Sequence, residues 1–207
     1  MNITEFKKLP IMGIIRGIEE EDLEPLVETV ISSGLKTIEI TMNTKKAEVL
    51  IDKAIKLAGR RLTIGAGTVL TMDSVQAALD AGATFVVTPV LIKEVVNYCV
   101  KQRIPVFPGA LTPTEIAAAA KAGATMVKVF PAKFFGPEYF KEVKGPFNDI
   151  KLLACAGVTP ENMKEYFSNG ADAVSFGASV FKKEWLKDKN FDKIGLEIKK
   201  FIVQFPL

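Results

Sequence analysis

The sequence contains no histidine. That absence excludes a Ser-His or Cys-His triad and any histidine-ligated zinc or iron site. Acid–base work must then fall to carboxylates, lysine or tyrosine. Cysteine is scarce as well. Cys99 and Cys155 give no disulfide framework, and the simplest reading makes both of them small buried residues. No apolar run reaches the ~18–20 residues of a membrane span, and the N-terminus lacks a signal-peptide pattern. The expected location is therefore cytoplasmic, with no membrane partner. Excess charge of one sign is also small: the formal net charge is +3, and the lysines are scattered rather than massed on one segment. That argues against a nucleic-acid partner and suits a small anionic ligand.

What is present is a chain of 207 residues, 48% hydrophobic, with no linker or low-complexity stretch, read as one domain over residues 1–207. A unit repeats along it: a helix ending in a small residue and glycine, then a strand. It occurs as Ser33-Gly34 before 35–40, Ala81-Gly82 before 83–88, Ala122-Gly123 before 124–130, and Asn169-Gly170 before 171–176. Four more apolar runs, 11–15, 62–64, 104–107 and 151–155, complete a set of eight expected strands. Helices are expected near 19–33, 44–58, 72–81, 91–102, 113–122, 137–143, 160–169 and, interrupted, 178–203. Thr112-Pro113-Thr114-Glu115 has the form of a capping box, Thr159-Pro160 repeats the Thr-Pro start, and Thr71 is a further cap. Eight β/α units in this length predict an α/β fold, a compact (β/α)8 TIM barrel, with a doubly wound open sheet as the alternative.

The stretch Thr125-Met-Val-Lys-Val-Phe-Pro-Ala132 reads as a buried strand with Lys128 at its centre. Burying an ammonium costs several kcal/mol, and losing the proton escapes that cost and leaves a nucleophilic amine. The plain alternative is a lysine that snorkels to water. Aligning the repeats on their glycines places Glu39, Val87, Lys128 and Ser175 at equivalent positions, the fifth residue after each glycine. By strand parity Thr37, Glu39 and Thr41 then share the interior face with Phe85, Val87 and Pro89, and with Met126, Lys128 and Phe130. An acid and a lysine near the carboxyl ends of barrel strands stand where such folds keep their active sites. A purely structural interior ion pair is the competing reading.

Other strand ends carry polar groups. Arg16 follows the first strand. Gly65-Ala66-Gly67-Thr68 follows the third, where its glycines permit close backbone approach; without a basic residue it serves as well for a tight turn as for phosphate. Ala156-Gly157 and Gly177-Ala178-Ser179 follow the last two strands. Small residues there expose N–H groups at helix starts, the usual phosphate position in barrels.

Together these residues resemble the class I aldolases that cleave 2-keto-3-deoxy-6-phosphogluconate, its galactonate epimer, and 4-hydroxy-2-oxoglutarate. The resemblance covers roughly residues 9–181. It is carried by Gly13-Ile-Ile-Arg-Gly17, Ile38-Glu-Ile-Thr41, Gly65-Ala-Gly-Thr-Val69, Val87-Thr-Pro89, Phe107-Pro-Gly109, Lys128-Val-Phe-Pro131 and Gly157-Val-Thr-Pro160. It implies a (β/α)8 fold, a homotrimer, Lys128 as Schiff-base lysine and Glu39 as acid–base. It also implies Thr68 and an arginine on the substrate carboxylate, and Pro89 and Phe130 lining the pocket. Many phosphogluconate-cleaving members carry that arginine four residues after the glutamate, where this chain has Asn43; Arg16 is the expected replacement, and the galactonate-type enzymes are similar to this chain there. Cys155-Ala156-Gly157 stands where Thr-Gly-Gly is common, and Ser179 keeps a hydroxyl nearby.

The implied reaction cleaves a 2-keto acid substrate in a retro-aldol step: phosphogluconate to pyruvate and glyceraldehyde 3-phosphate, or hydroxyoxoglutarate to pyruvate and glyoxylate, with phosphogalactonate as the alternative. No metal or other cofactor is expected, because the iminium is the electron sink. Competing readings are a different phosphosugar barrel enzyme, such as an epimerase or synthase, and a non-catalytic phosphosugar-binding barrel.

Overall fold

Near-continuous apolar runs make strands that bury both faces, and here they assemble into one parallel sheet. The computed structural model describes residues 1–205. Among them, nine strands are present: β1 (Ile11–Ile15), β2 (Thr37–Thr41), β3 (Thr63–Gly67), β4 (Val86–Val87), β5 (Val106–Phe107), β6 (Gly109–Ala110), β7 (Val127–Val129), β8 (Leu152–Cys155) and β9 (Ala173–Phe176). Their order is β5-β4-β3-β2-β1-β9-β8-β7-β6, so the two outer strands are consecutive in the chain and only Pro108 separates them. The sheet thus curls into a nearly closed parallel barrel.

The ninth strand corrects the expected eight. Proline has no N–H for a ladder, so pairing breaks at Pro108. The residues before it pair with β4 and those after it with β7, while its carbonyl accepts from Lys128 N–H at 2.9 Å.

The helices are α1 (Ile3–Phe6), α2 (Leu23–Ser32), α3 (Ala47–Ala58), α4 (Met72–Asp80), α5 (Lys93–Lys101), α6 (Pro113–Lys121), α7 (Glu138–Lys144), α8 (Met163–Ser168), α9 (Lys183–Lys187) and α10 (Phe191–Val203). Local chemistry starts and stops them. Thr112 Oγ1 accepts from Glu115 N–H at 3.3 Å and the Glu115 carboxylate accepts from Thr112 N–H at 2.8 Å, closing the expected capping box on α6. Gly34, Gly82, Gly123 and Gly170, each just past a helix end, all take φ between 91° and 99°. Thr159-Pro160 begins a turn rather than a helix, and α8 starts three residues later than Pro160. No helix among the described residues is long and apolar enough to cross a membrane.

Apolar side chains fill two layers. Ile38, Ile40, Val127 and Val129 face outward and pack under the helices. Met12, Phe85, Val87, Phe107, Met126 and Leu153 face inward. The expected parity therefore holds on both faces. The unexpected α1 closes the amino-terminal end: its Phe6 meets Phe107 edge-on at 6.1 Å, and Phe107 meets Phe85 likewise at 5.7 Å. Burying each such ring stabilises the fold by roughly 1.5–3 kcal/mol. With that end packed, the described residues leave an opening at the carboxyl ends of the strands.

Candidate active site

Lys128 lies at the middle of β7 between Gly109 on β6 and Leu153 on β8. Glu39 lies at the middle of β2. Both side chains point into the barrel, and they are 6% and 1% exposed. Lys128 Nζ is 3.8 Å from Glu39 Oε1, close enough for strong attraction and too far for a hydrogen bond. Neither oxygen of Glu39 has a hydrogen-bond partner. A buried carboxylate left open in this way is costly as structure alone.

The glycines of β3 make room for this arrangement. A Cβ on Gly67 would overlap the Glu39 carboxyl, and one on Gly65 would overlap the Phe85 ring. The stretch 65–67 is thus strand, neither a phosphate loop nor a tight turn. Gly109 likewise leaves space for the Pro89 carbonyl, so Pro89 sits at the barrel mouth beside the Lys128 neighbour. Phe130 stands above the lysine, with Nζ 5.5 Å from its ring centre, and is 38% exposed.

Burial raises the Glu39 pKa from its ordinary value, against the pull of Lys128 and, more weakly, Arg16. For Lys128, burial is the largest influence and lowers the pKa. The attraction of the Glu39 carboxylate, with a smaller contribution from neighbouring Cys155, outweighs it, and the balance is raised. That balance lasts only while Glu39 stays ionised: a proton moving from the ammonium to the carboxylate removes both charges together. Arg16 lowers both values, as an offset cation should.

The remaining predicted residues fall into two groups. Arg16 donates to Thr68 Oγ1 at 3.2 Å, joining the loops after β1 and β3; Thr68 holds the unusual φ of 53°. Asn43 is exposed in the turn after β2 and does not line the cavity described next. That cavity, of 310 Å³, opens beside Arg16 and Phe130. Ala156, Gly157, Gly177, Ala178 and Ser179 all line it, as expected of one subsite. The expected helix start at Gly177 is absent, however. Residues 177–181 form a turn in which Gly177 O accepts from Val180 and Phe181 N–H, and α9 begins only at Lys183. Ala156 and Gly157 take φ of 70° and 90°, and a Cβ on Gly157 would overlap Lys133.

Two residues of this region, Lys133 and Lys183, have no place in the site expected from the sequence, and a third, Cys155, is expected there only as a small buried residue. Lys133 and Lys183 line the cavity, and they add positive charge that no helix start supplies. Cys155 also lines it, on the interior face two residues beyond the Lys128 partner Leu153. It is buried, as expected, but it is part of the site. Strand parity applied to β8 would have found it.

Comparison with known proteins identifies the family of the chain. The family model described as KDPG and KHG aldolase matches residues 3–196. A 2-dehydro-3-deoxy-6-phosphogalactonate aldolase of Escherichia coli (strain K12) is 36% identical over 176 residues, covering 84% of this chain and 86% of its own. A native KDPGal structure matches with a TM-score of 0.89 at 32% identity, over 96% of this chain and 95% of the other. A KDPG aldolase from Legionella pneumophila was solved with pyruvate captured at low pH as a covalent carbinolamine intermediate. It matches with a TM-score of 0.86 at 28% identity, over 94% of each chain. An acid and a lysine inside a parallel barrel, open at the carboxyl ends of its strands, thus occur in a chain that belongs to the KDPG and KHG aldolase family, and so in a carbon–carbon lyase.

Proposed function

We propose that this chain is a class I aldolase on a (β/α)8 barrel, the segments either side of Pro108 counting as one interrupted strand. In this reading Lys128 is the Schiff-base nucleophile and Glu39 the proton carrier. The observation that carries it is the buried Lys128–Glu39 pair, 3.8 Å apart, whose carboxylate has no other partner. The Legionella relative, with pyruvate held as a carbinolamine, supports covalent chemistry of this kind.

The proton inventory balances through the cycle. The ammonium of Lys128 passes a proton to Glu39, giving amine and carboxylic acid, a neutral pair that burial favours. The amine attacks the C2 ketone of the substrate. Glu39 protonates the carbinolamine hydroxyl, which leaves as water, and an iminium and a carboxylate remain. The carboxylate takes the C4 hydroxyl proton, the C3–C4 bond breaks, and its electrons enter the iminium as an enamine while the aldehyde departs. Glu39 returns its proton to C3. Water then hydrolyses the new iminium to pyruvate and the Lys128 ammonium. The iminium is the electron sink, so no metal is required.

Arg16 and Thr68 hold the substrate carboxylate in this reading, with Pro89 and Phe130 walling the keto acid. The cavity formed by Ala156, Gly157, Gly177, Ala178 and Ser179 takes the phosphate through turn N–H groups and a hydroxyl. The substrate class is a 2-keto-3-deoxy-6-phosphohexonate. The galactonate epimer is favoured, because the Escherichia coli relative and the KDPGal structure carry that name and Asn43 supplies no guanidinium at the β2 turn. The gluconate epimer is the second reading, supported by the Legionella enzyme. Resemblance supports a homotrimer, and exposed Phe134 and Phe135 offer apolar surface for contact between copies. The test is pyruvate release from both epimers and from 4-hydroxy-2-oxoglutarate, with and without EDTA. Cleavage of a phosphorylated epimer with the largest kcat/KM, unaffected by EDTA, is expected. Activity that EDTA abolishes and Mg²⁺ or Zn²⁺ restores would overturn the mechanism.

A further inference from the structure

The turn after β2 supplies no charge to the site, yet it joins the loop that carries Arg16 to the loop that carries Thr68. Thr44 is 6% exposed and Thr41 fully buried, so their hydroxyls must find partners inside the protein. They find each other at 3.0 Å. Thr44 Oγ1 also accepts from Gly17 N–H at 3.0 Å. Gly17 directly follows Arg16 and takes φ of 69°, so this hydrogen bond fixes the backbone where the chain turns out of β1. On the other side of the same turn, Met42 N–H donates to Gly67 O at 2.7 Å, one residue before Thr68. The turn itself is closed by Thr44 N–H to Thr41 O at 2.9 Å. Arg16 and Thr68, which bond to each other across the mouth, are thus both anchored on residues 41–44.

We propose that Thr44, supported by Thr41, is the positioning residue for Arg16: it sets where the guanidinium meets the 2-keto acid carboxylate without touching the substrate. The inference rests on the reading of Arg16 as the carboxylate ligand. It explains how a loop carrying Asn43 in place of an arginine still serves carboxylate binding. Replacing Thr44 with valine removes the acceptor of a part-buried N–H while keeping the side-chain shape. The loop then loses its fixed geometry, and Arg16 samples other positions.

The probe is pyruvate, read as the concentration giving half-maximal borohydride trapping on the full-length protein. Wild type is compared with Arg16→Met, Thr44→Val, Thr44→Ser and the double variant Arg16→Met/Thr44→Val. Arg16→Met is expected to raise half-saturation about tenfold, and Thr44→Val about fivefold, the scale of one lost hydrogen bond with an unpaired N–H left behind. The saturating trapping rate of Thr44→Val should change little. Thr44→Ser keeps the hydroxyl and should restore near-wild-type binding. The double variant should bind no worse than Arg16→Met alone, because Thr44 acts through Arg16. Additive losses in the double variant, or a Thr44→Val half-saturation within about twofold of wild type while Arg16→Met rises, overturn the proposal and leave the carboxylate reading standing. An unchanged Arg16→Met overturns that reading and this proposal with it. Should Thr44→Val fail to fold, Thr41→Val, which removes the Thr44 support, takes its place with a smaller expected rise and the same double-variant test.

Discussion

The two ends of this barrel interior are built from the same strands with the same parity, and they differ in almost every other respect. At the amino-terminal end Phe6, Phe85, Phe107 and Met126 fill the space, with edge-on contacts between the rings. Two residues past Met126 comes Lys128, and two residues past Thr37 comes Glu39, whose carboxyl takes the space that Gly67 leaves, while Gly109 makes room for the Pro89 carbonyl. One end is filled with rings. The other keeps glycines, an unpaired carboxylate and a buried amine. The comparison teaches that stability and chemistry are divided by depth along the strands, not by element, so substitutions a few residues apart should fail in different ways.

The largest effect should come from Lys128→Ala. In the proposed cycle it removes the covalent step, so turnover should fall below detection while the packed end holds the fold; circular dichroism beside a pyruvate-release assay checks both. Glu39→Gln should come next, with a rate loss of ~10²–10⁴, the usual share of general acid–base catalysis. Its pH profile sharpens the comparison. In the proposed cycle the carboxylate takes the C4 hydroxyl proton, so kcat/KM in the wild type should fall as pH drops through the Glu39 pKa. Burial raises that value, so the acid limb should lie above the ordinary ~4.3 of glutamate. A limb at or below that value, or a Glu39→Gln enzyme within tenfold of wild type, would remove Glu39 from the mechanism.

Phe107→Ala probes the opposite end. It should cost about 3–5 kcal/mol of unfolding free energy, seen as a lower urea midpoint, with kcat/KM of the folded protein close to wild type. A large activity loss at unchanged stability would erase the distinction between the ends. Gly67→Ala sits on the boundary and should act least. Its Cβ displaces the Glu39 carboxyl, and an activity loss of roughly tenfold with a small stability change is expected, on the scale of ~1–3 kcal/mol for overpacking.

Much of this was legible in the sequence for particular physical reasons. A lysine in an apolar strand is conspicuous because its burial is expensive, and period-2 parity then aligned Lys128 with Glu39 through the glycines at helix ends. The nine-stranded count was not legible, because Pro108 splits a run that reads as continuous. α1 was missed because its four residues are too few to show periodicity. The turn at Gly177 was read as a helix start because small residues suit both. Lys133 and Lys183 escaped because cavity lining by long exposed side chains leaves no periodic trace. The Gly17–Thr44 hydrogen bond leaves no trace in the sequence because it joins two loops 27 residues apart.

The central claim is that the buried lysine of β7 forms the covalent bond to substrate. Incubating the protein with labelled pyruvate and borohydride, then mapping the modified peptide, tests it most directly. The account predicts one stable adduct, on Lys128, that Lys128→Ala abolishes. An adduct on Lys133 in the wild type, or continued labelling of the Lys128→Ala protein, would contradict it.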